Sequence, residues 1–146
     1  MHWHLFVIGK PKLGFAKLGV DAYATRLKPF VSVKLQYLKG GSHEDESRVL
    51  LERSAGMFRV ALDERGAEVS SRALSEKISE WELSAKRNIA VLIGGADGHT
   101  EKVRREADWV WSLSRLTLQH ELALVVVLEQ IYRAYTIKAG TPYHRD

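Results

Sequence analysis

Apolar and polar residues alternate along this chain with two different periods. Short runs rich in β-branched and aromatic residues indicate strands, and longer stretches with apolar residues every three or four positions indicate helices. In VSVKLQYL (31–38), Val33, Leu35 and Tyr37 alternate with polar residues, which predicts a half-buried strand. The pattern predicts strands over 2–9, 31–38, 58–63, 89–95 and 109–114, and helices over about 13–27, over 43–55, after Ser70 or Ser71, from Thr100 to Ala107 and over about 121–138.

The run IAVLIGG (89–95) indicates how these strands assemble. It is apolar without interruption, so both of its faces must be covered, as they are in a central strand of a parallel sheet. Strands and helices also alternate in order, which is typical of α/β proteins. We therefore expect an α/β fold with a largely parallel sheet, in which ERG (64–66) forms a turn after the third strand.

Length and composition limit the class of protein. A chain of 146 residues with 45% hydrophobic and 27% charged residues fits one globular domain over 1–146. There is no cysteine, which excludes disulfides and thiolate metal sites, and no metal site is predicted. The longest apolar run, LALVVVL (122–128), is too short to span a bilayer, and the first residues do not resemble a signal peptide. A cytoplasmic protein without membrane contact is expected.

The positive charge is concentrated near the start of the chain. The net charge is +4, but residues 1–40 contain seven Lys or Arg and a single acid, Asp21, so the remainder is slightly acidic. A basic end suits a polyanion such as nucleic acid, because lysine and arginine displace the counterions of phosphates. The same residues also suit an ordinary solvated surface, and charge alone leaves both interpretations open.

The segment VLIGGADGH (91–99) is a candidate ligand loop. Ligands of parallel sheets bind where strands end, and glycines let them approach the backbone. The segment lacks the G-x-G-x-x-G and G-x-x-x-x-G-K-[ST] spacings of phosphate-binding loops, and Asp97 would repel a phosphate. A tight turn that requires positive φ and a ligand site are both compatible with these residues.

Two further segments combine residues with chemical potential. WSLSRLTLQHEL (111–122) contains one histidine, but no G-x-S-x-G element and no metal-ligand spacing, so hydrolysis and metal catalysis are poorly supported. The closing PYHRD (142–146) is compatible with a frayed chain end. Its ring, imidazole and guanidinium could equally stack on a base, titrate near neutrality and bind a phosphate.

Taken in order, these segments carry a family resemblance over essentially the whole chain. LDERG (62–66) and SS (70–71) are followed by IGGADG (93–98), WSLSRLTLQH (111–120), YRA (132–134) and PYHR (142–145). In order and spacing they resemble the RlmH family, the large-subunit rRNA pseudouridine N3-methyltransferases of the SPOUT superfamily. The resemblance implies a single SPOUT-type α/β domain over 1–146, with a C-terminal trefoil knot in a cofactor-binding region of roughly 88–146.

The resemblance also implies a reaction and its cofactor. S-adenosylmethionine, without a metal, would donate a methyl group to N3 of a pseudouridine in 23S rRNA, in the assembled ribosome. The protein would act as a homodimer. The implied cofactor-binding residues are Leu62, Gly94, Leu113, Ser114, Arg115, Leu116, Thr117 and Leu118.

The implied substrate contacts lie mainly at the C-terminus. His144 would contact the base or assist loss of its proton, or would only position the RNA while water accepts the proton. Tyr143 would stack, Arg145 would bind a phosphate, and His120 and Arg133 are further candidates.

The sequence departs from the family pattern at two positions. Leu124 stands where many relatives carry arginine, and Gln119 replaces a frequent proline. We expect the loss of the arginine to affect RNA affinity more than cofactor binding. A SPOUT enzyme acting on another RNA such as tRNA, and a non-catalytic RNA-binding module, are the alternative functions.

Overall fold

A computed structural model describes all residues, 1–146. Strands and helices alternate along the chain without exception. The strands are β1 (His2–Ile8), β2 (Ser32–Leu38), β3 (Phe58–Ala67), β4 (Asn88–Ile93) and β5 (Trp109–Trp111), and the helices are α1 (Gly14–Leu27), α2 (His43–Arg53), α3 (Ser71–Leu83), α4 (Glu101–Glu106) and α5 (His120–Ala139). No helix combines the length and the hydrophobicity that a membrane-spanning segment requires.

The five strands form one parallel sheet in the order β2-β1-β4-β3-β5. The predicted α/β class with a parallel sheet is therefore confirmed, and β4 is its central strand. Alternate residues of β4 enter two separate cores: Val91 lies in the core under α1, α3 and α5, and Leu92 in the core under α2 and α4. Both faces are covered, which explains the uninterrupted apolar sequence of this strand.

Hydroxyl side chains cap the N-termini of three of the helices. The hydroxyl of Ser70 accepts a hydrogen bond from the amide of Ala73 at the start of α3, and Thr100 accepts one from Val103 at the start of α4, as predicted. Ser42 caps α2 in the same way. Each hydroxyl satisfies an amide that has no partner within its helix.

Helix α1 buries a different face from the one its largest apolar residues suggest. Phe15 and Leu18, which recur at helical spacing, are 55% and 73% exposed, whereas Ala16 and Val20 are buried. A Cβ on Gly19 would lie 2.9 Å from a methyl group of Val125. Small residues therefore form the inner face of α1, because the helix lies very close to α5.

Strands β3 and β5 differ from the prediction at their ends. The strand β5 ends at Trp111 rather than near residue 114, and β3 continues to Ala67. Trp111 pairs with both Leu62 and Ala67, so residues 63–66 form an irregular bulge within β3. The prediction that ERG forms a turn was wrong, because backbone pairing with β5 resumes beyond it.

Gly66 allows the bulge to pass against β5. A Cβ there would lie 2.8 Å from the nitrogen of Trp111 and closer still to the carbonyl group of Val110. These atoms belong to the backbone and cannot move aside as the end of a flexible side chain can. Only glycine fits this approach without displacing a strand.

We expect Gly66→Ala to lower the free energy of unfolding by about 2 kcal/mol or more, because the added methyl group overlaps the backbone of β5. Urea unfolding at fixed protein concentration measures the change. Gly41→Ala is the matched control, since its Cβ would make only ordinary contacts at 3.7 Å, and its effect should stay within about 0.5 kcal/mol. Equal stability of the two variants would contradict the assignment.

Candidate functional site: a pocket at the carboxyl ends of β3 and β4

A pocket of about 230 Å³ opens where β4 ends and where the bulge interrupts β3. Three loop segments form its walls: residues 62–65 of the bulge, residues 93–98 of the glycine loop, and residues from 113 to 118 before α5. His120 and Ala123 close it from the first turn of α5. This is the edge of a parallel sheet where ligands of α/β proteins bind.

The structure brings together nearly all the residues predicted to hold a cofactor. Arg115 is the exception, because its side chain is 91% exposed and pairs with Glu68 at 3.0 Å. His120, predicted as a substrate contact, also lines the pocket. The predicted residues in the lining are Leu62, Gly94, Leu113, Ser114, Leu116, Thr117, Leu118 and His120.

The glycine loop is both a tight turn and a wall of this pocket. Gly98 has φ of +70°, and its amide donates to the carbonyl of Gly95 at 3.0 Å. A Cβ on Gly94 would lie 3.0 Å from the carbonyl carbon and oxygen of Gly98. The two interpretations of VLIGGADGH are therefore complementary: the glycines close the turn, and the closed turn lines the pocket.

Sequence reasoning missed the residue that anchors the glycine loop, His99. Its side chain is only 4% exposed, and Nε2 lies 2.8 Å from the carbonyl oxygen of Leu92, to which it donates. Burial lowers the pKa of His99, because the cationic ring would lose its hydration there. The sequence alone did not indicate that His99 is buried, because a histidine after a glycine-rich turn is expected to be an exposed loop residue.

A buried ion pair joins the glycine loop to the bulge of β3. The carboxylate of Asp63 lies 3.4 Å from the guanidinium groups of both Arg65 and Arg104. The same Nη1 of Arg104 donates to the carbonyl oxygen of His99 at 2.8 Å. Arg104 therefore holds two walls of the pocket in one arrangement.

The third wall is fastened to the bulge through polar contacts. Thr117 donates its hydroxyl proton to Glu64 at 2.9 Å, and the amide of Ser112 donates to the carbonyl of Ala67 at 2.9 Å. Within the wall, the hydroxyl of Ser114 accepts from the amide of Leu116. These contacts hold the loop before α5 beside the pocket.

The lining combines apolar side chains with an excess of negative charge. Asp63, Glu64 and Asp97 contribute carboxylates, and Arg65 is the one cationic side chain. Such a lining disfavours phosphate groups and favours a ligand that carries positive charge. No group of three or more His, Asp or Glu side chains is placed to hold a metal ion.

The C-terminal segment is packed against α5 rather than free. The hydroxyl of Tyr143 donates to Glu129 at 2.9 Å, and its ring meets Tyr132 at 4.8 Å between centroids. Burial, together with Tyr23 and Glu129, raises the pKa of Tyr143 above its usual value. The final residue is anchored too, since the carboxylate of Asp146 lies 2.6 Å from Nη2 of Arg72.

His144 is held in one tautomer by its neighbours. Its Nδ1 lies 3.1 Å from Nη1 of Arg133, and because a guanidinium only donates, Nδ1 is the acceptor. The proton therefore resides on Nε2, which donates to Asp146 at 2.9 Å. The side chain of Arg133 also pairs with Glu129 at 2.9 Å, and Arg145 is exposed beside this group.

The predicted substrate residues therefore fall into two places. His120 lies in the pocket, whereas Tyr143, His144 and Arg145 lie near Arg133 on α5. Residues 123 and 133 are ten apart on one helix, which corresponds to about 15 Å. Within one chain the structure does not bring His144 to the pocket.

The two departures from the family pattern have local structural roles. The side-chain oxygen of Gln119 accepts from the amides of Glu121 and Leu122, both at 2.9 Å, and so caps α5. Leu124 is fully buried in the core under α5. Replacement at either position would change the start or the packing of this helix.

The fold and the pocket define a class of α/β protein with a partly apolar pocket of net negative charge at the edge of a parallel sheet. Comparison with known proteins makes this class specific. Residues 1–144 match the family model described as "Predicted SPOUT methyltransferase". The probable methyltransferase from Bordetella pertussis shares the fold, with a TM-score of 0.57 at 13% identity over 92% of this chain and 95% of that one.

Curated relatives resemble the chain over its whole length. "Ribosomal RNA large subunit methyltransferase H" of Thermus thermophilus is 43% identical over 145 residues, covering 99% of both chains. The protein of the same name from Deinococcus radiodurans is 41% identical with equal coverage. The chain therefore belongs to the SPOUT methyltransferase family, in the RlmH group, and the resemblance found from the motifs is confirmed.

The burial of His99 predicts a pH dependence of stability. Since its pKa in the folded chain is below 6.5, the unfolded chain binds a proton more readily, and the free energy of unfolding should decrease as the pH falls below about 6.5. His99→Gln should show a weaker decrease between pH 7 and about pH 5, measured by urea unfolding. Parallel curves for the variant and the wild type would contradict this prediction.

Proposed function

We propose that the chain transfers a methyl group from S-adenosylmethionine to N3 of a pseudouridine in large-subunit rRNA of the assembled ribosome. One observation carries the proposal: three segments far apart in sequence, each part of the family pattern, meet in one pocket at the sheet edge. The chain's membership of the SPOUT family and its similarity to rRNA methyltransferases support the same reaction.

The pocket suits this cofactor on its own chemistry. Its leucine side chains and glycine backbone offer an apolar, closely approachable surface for adenine and ribose, for which we propose Leu62, Gly94 and residues 113–118. The carboxylates of the pocket favour the cationic sulfonium of the cofactor. Arg65 is the cationic side chain in the lining that is available to the cofactor's own carboxylate. Arg115 points away from the pocket and contributes its backbone at most.

S-adenosylmethionine, when bound, supplies a methyl group that is already activated by the positive sulfur. The chain's own task is therefore to position the acceptor base and to assist loss of the N3 proton. We assign contact with the base to His144 and stacking to Tyr143, with Arg145 on a phosphate. His144 can accept a proton at Nδ1 only if Arg133 releases it, and otherwise water accepts the proton.

We further propose that the active form is a homodimer. His144 and the pocket are separated along α5 within one chain, so a partner subunit is required to bring a C-terminal segment to each pocket. Exposed apolar side chains on α1 and α5, namely Phe15, Leu18 and Leu122, offer a surface for that contact. From membership of the family we also propose that the chain forms a single domain over 1–146, with a trefoil knot within about 88–146.

Mapping the methyl group tests the reaction. The protein is incubated with labelled S-adenosylmethionine and, separately, ribosomes, free rRNA and tRNA from a strain that lacks the modification, and the products are located by mass spectrometry. Methyl transfer to a pseudouridine of large-subunit rRNA is expected, with ribosomes as the best substrate. Transfer to tRNA alone, or no transfer despite RNA binding, would establish one of the alternative functions instead.

Gly94→Ala should weaken binding of S-adenosylmethionine at least about tenfold, because its methyl group would press on Gly98 and displace the turn. Isothermal calorimetry measures the affinity. Gly41→Ala, outside the pocket, should bind normally. Wild-type affinity of Gly94→Ala would mean that the cofactor pocket is misplaced.

Leu18→Glu should convert the dimer into monomers, because it places a charge in the proposed apolar contact. Sedimentation or light scattering reports the mass, and methyl transfer should be lost with the dimer. Leu83→Glu, at an 88% exposed position on α3, is the control and should remain dimeric and active. A dimeric Leu18→Glu variant would place the contact elsewhere.

A further inference from the structure

A second cavity lies beside α1, and its lining shares no residue with the methyl-transfer pocket. It measures about 320 Å³ and lies between the loop after β1, the first turns of α1 and the end of β2. Its lining consists of Lys10, Pro11, Lys17, Val20, Asp21 and Tyr37. None of the motifs that identify the family lies in it.

The charges in this cavity are not used by the fold. Lys10 and Lys17 are exposed and form no ion pair within the chain, and Asp21 forms none either. Two ammonium groups against one carboxylate leave a net positive charge. The half-buried ring of Tyr37 and the buried Val20 form the floor of the cavity, and the two lysines lie at its border.

A buried carboxylate fixes the loop of this cavity beside the methyl-transfer pocket. Oε1 of Glu121 accepts from the amides of Lys12 and Leu13, at 2.6 and 3.0 Å. These amides lower the pKa of Glu121, so the acceptor stays ionised. Glu121 directly follows His120, which lines the pocket, so Lys12 and Leu13 at the end of this loop are held beside the first turn of α5.

We propose that Lys10 and Lys17 bind the sugar-phosphate backbone of the substrate RNA next to the nucleotide being methylated. This assignment rests on the proposed function, since it takes RNA as the substrate. A strand whose base enters the pocket at His120 would reach the two lysines by crossing the loop that Glu121 holds there. Lysines give such backbone contacts, which position a strand without reading its sequence.

The test compares two double variants with the same change in charge. Lys10→Gln/Lys17→Gln removes the cavity's cations, and Lys28→Gln/Lys34→Gln removes two exposed lysines from the end of α1 and the early part of β2. Affinity for ribosomes and for protein-free rRNA is measured against salt concentration. Circular dichroism and urea unfolding establish that both variants remain folded.

The cavity variant should flatten the slope of log affinity against log salt by about 0.7 per lost contact. Its KM for RNA should rise about tenfold while kcat and the affinity for S-adenosylmethionine stay unchanged, and the control should behave as wild type. Equal slopes and KM values for the two variants would overturn the proposal.

The two proposals fail in different ways. If the wild type transfers no methyl group to rRNA, the proposed function is wrong, whatever the variants do. If the wild type methylates rRNA and the cavity variant matches its control, only the assignment of Lys10 and Lys17 is wrong.

Discussion

The backbone of β3 meets Trp111 of β5 twice, at Leu62 and again at Ala67, and the pocket depends on the excursion between these pairings. The four residues of the bulge cannot continue the ladder, so their side chains are free for other contacts. Asp63 turns to Arg104 and Glu64 to Thr117. One irregularity of the sheet therefore provides one wall of the pocket and fastens the other two, and only glycine at position 66 permits it.

The walls are also joined to each other, which fixes their relative positions. Asp63 is buried, and a buried carboxylate is costly unless it is paired, so its contacts with Arg104 and Arg65 stabilise this arrangement. The guanidinium of Arg104 also binds the carbonyl of His99, whose ring is bound to Leu92 in β4. Displacement of the bulge would therefore be transmitted to the glycine loop.

The C-terminal segment and the pocket contact different turns of α5. The segment is anchored by Asp146 on α3 and by Tyr143 and His144 on α5, so it is preorganised rather than recruited on binding. The pocket meets α5 at its first turn. A reaction that uses both places needs two chains, and this requirement links the proposed dimer to the proposed chemistry.

Local periodicity and residue type were enough to predict the order of strands and helices, the helix caps at Ser70 and Thr100 and the central place of β4. Most of the pocket's lining was predicted only through the family resemblance that the motifs carry. Four features required the folded chain: the bulge at ERG, the outward orientation of Phe15 and Leu18, the burial of His99 and the anchoring of the C-terminus. Each of these depends on backbones or side chains distant in sequence, which a local pattern does not contain.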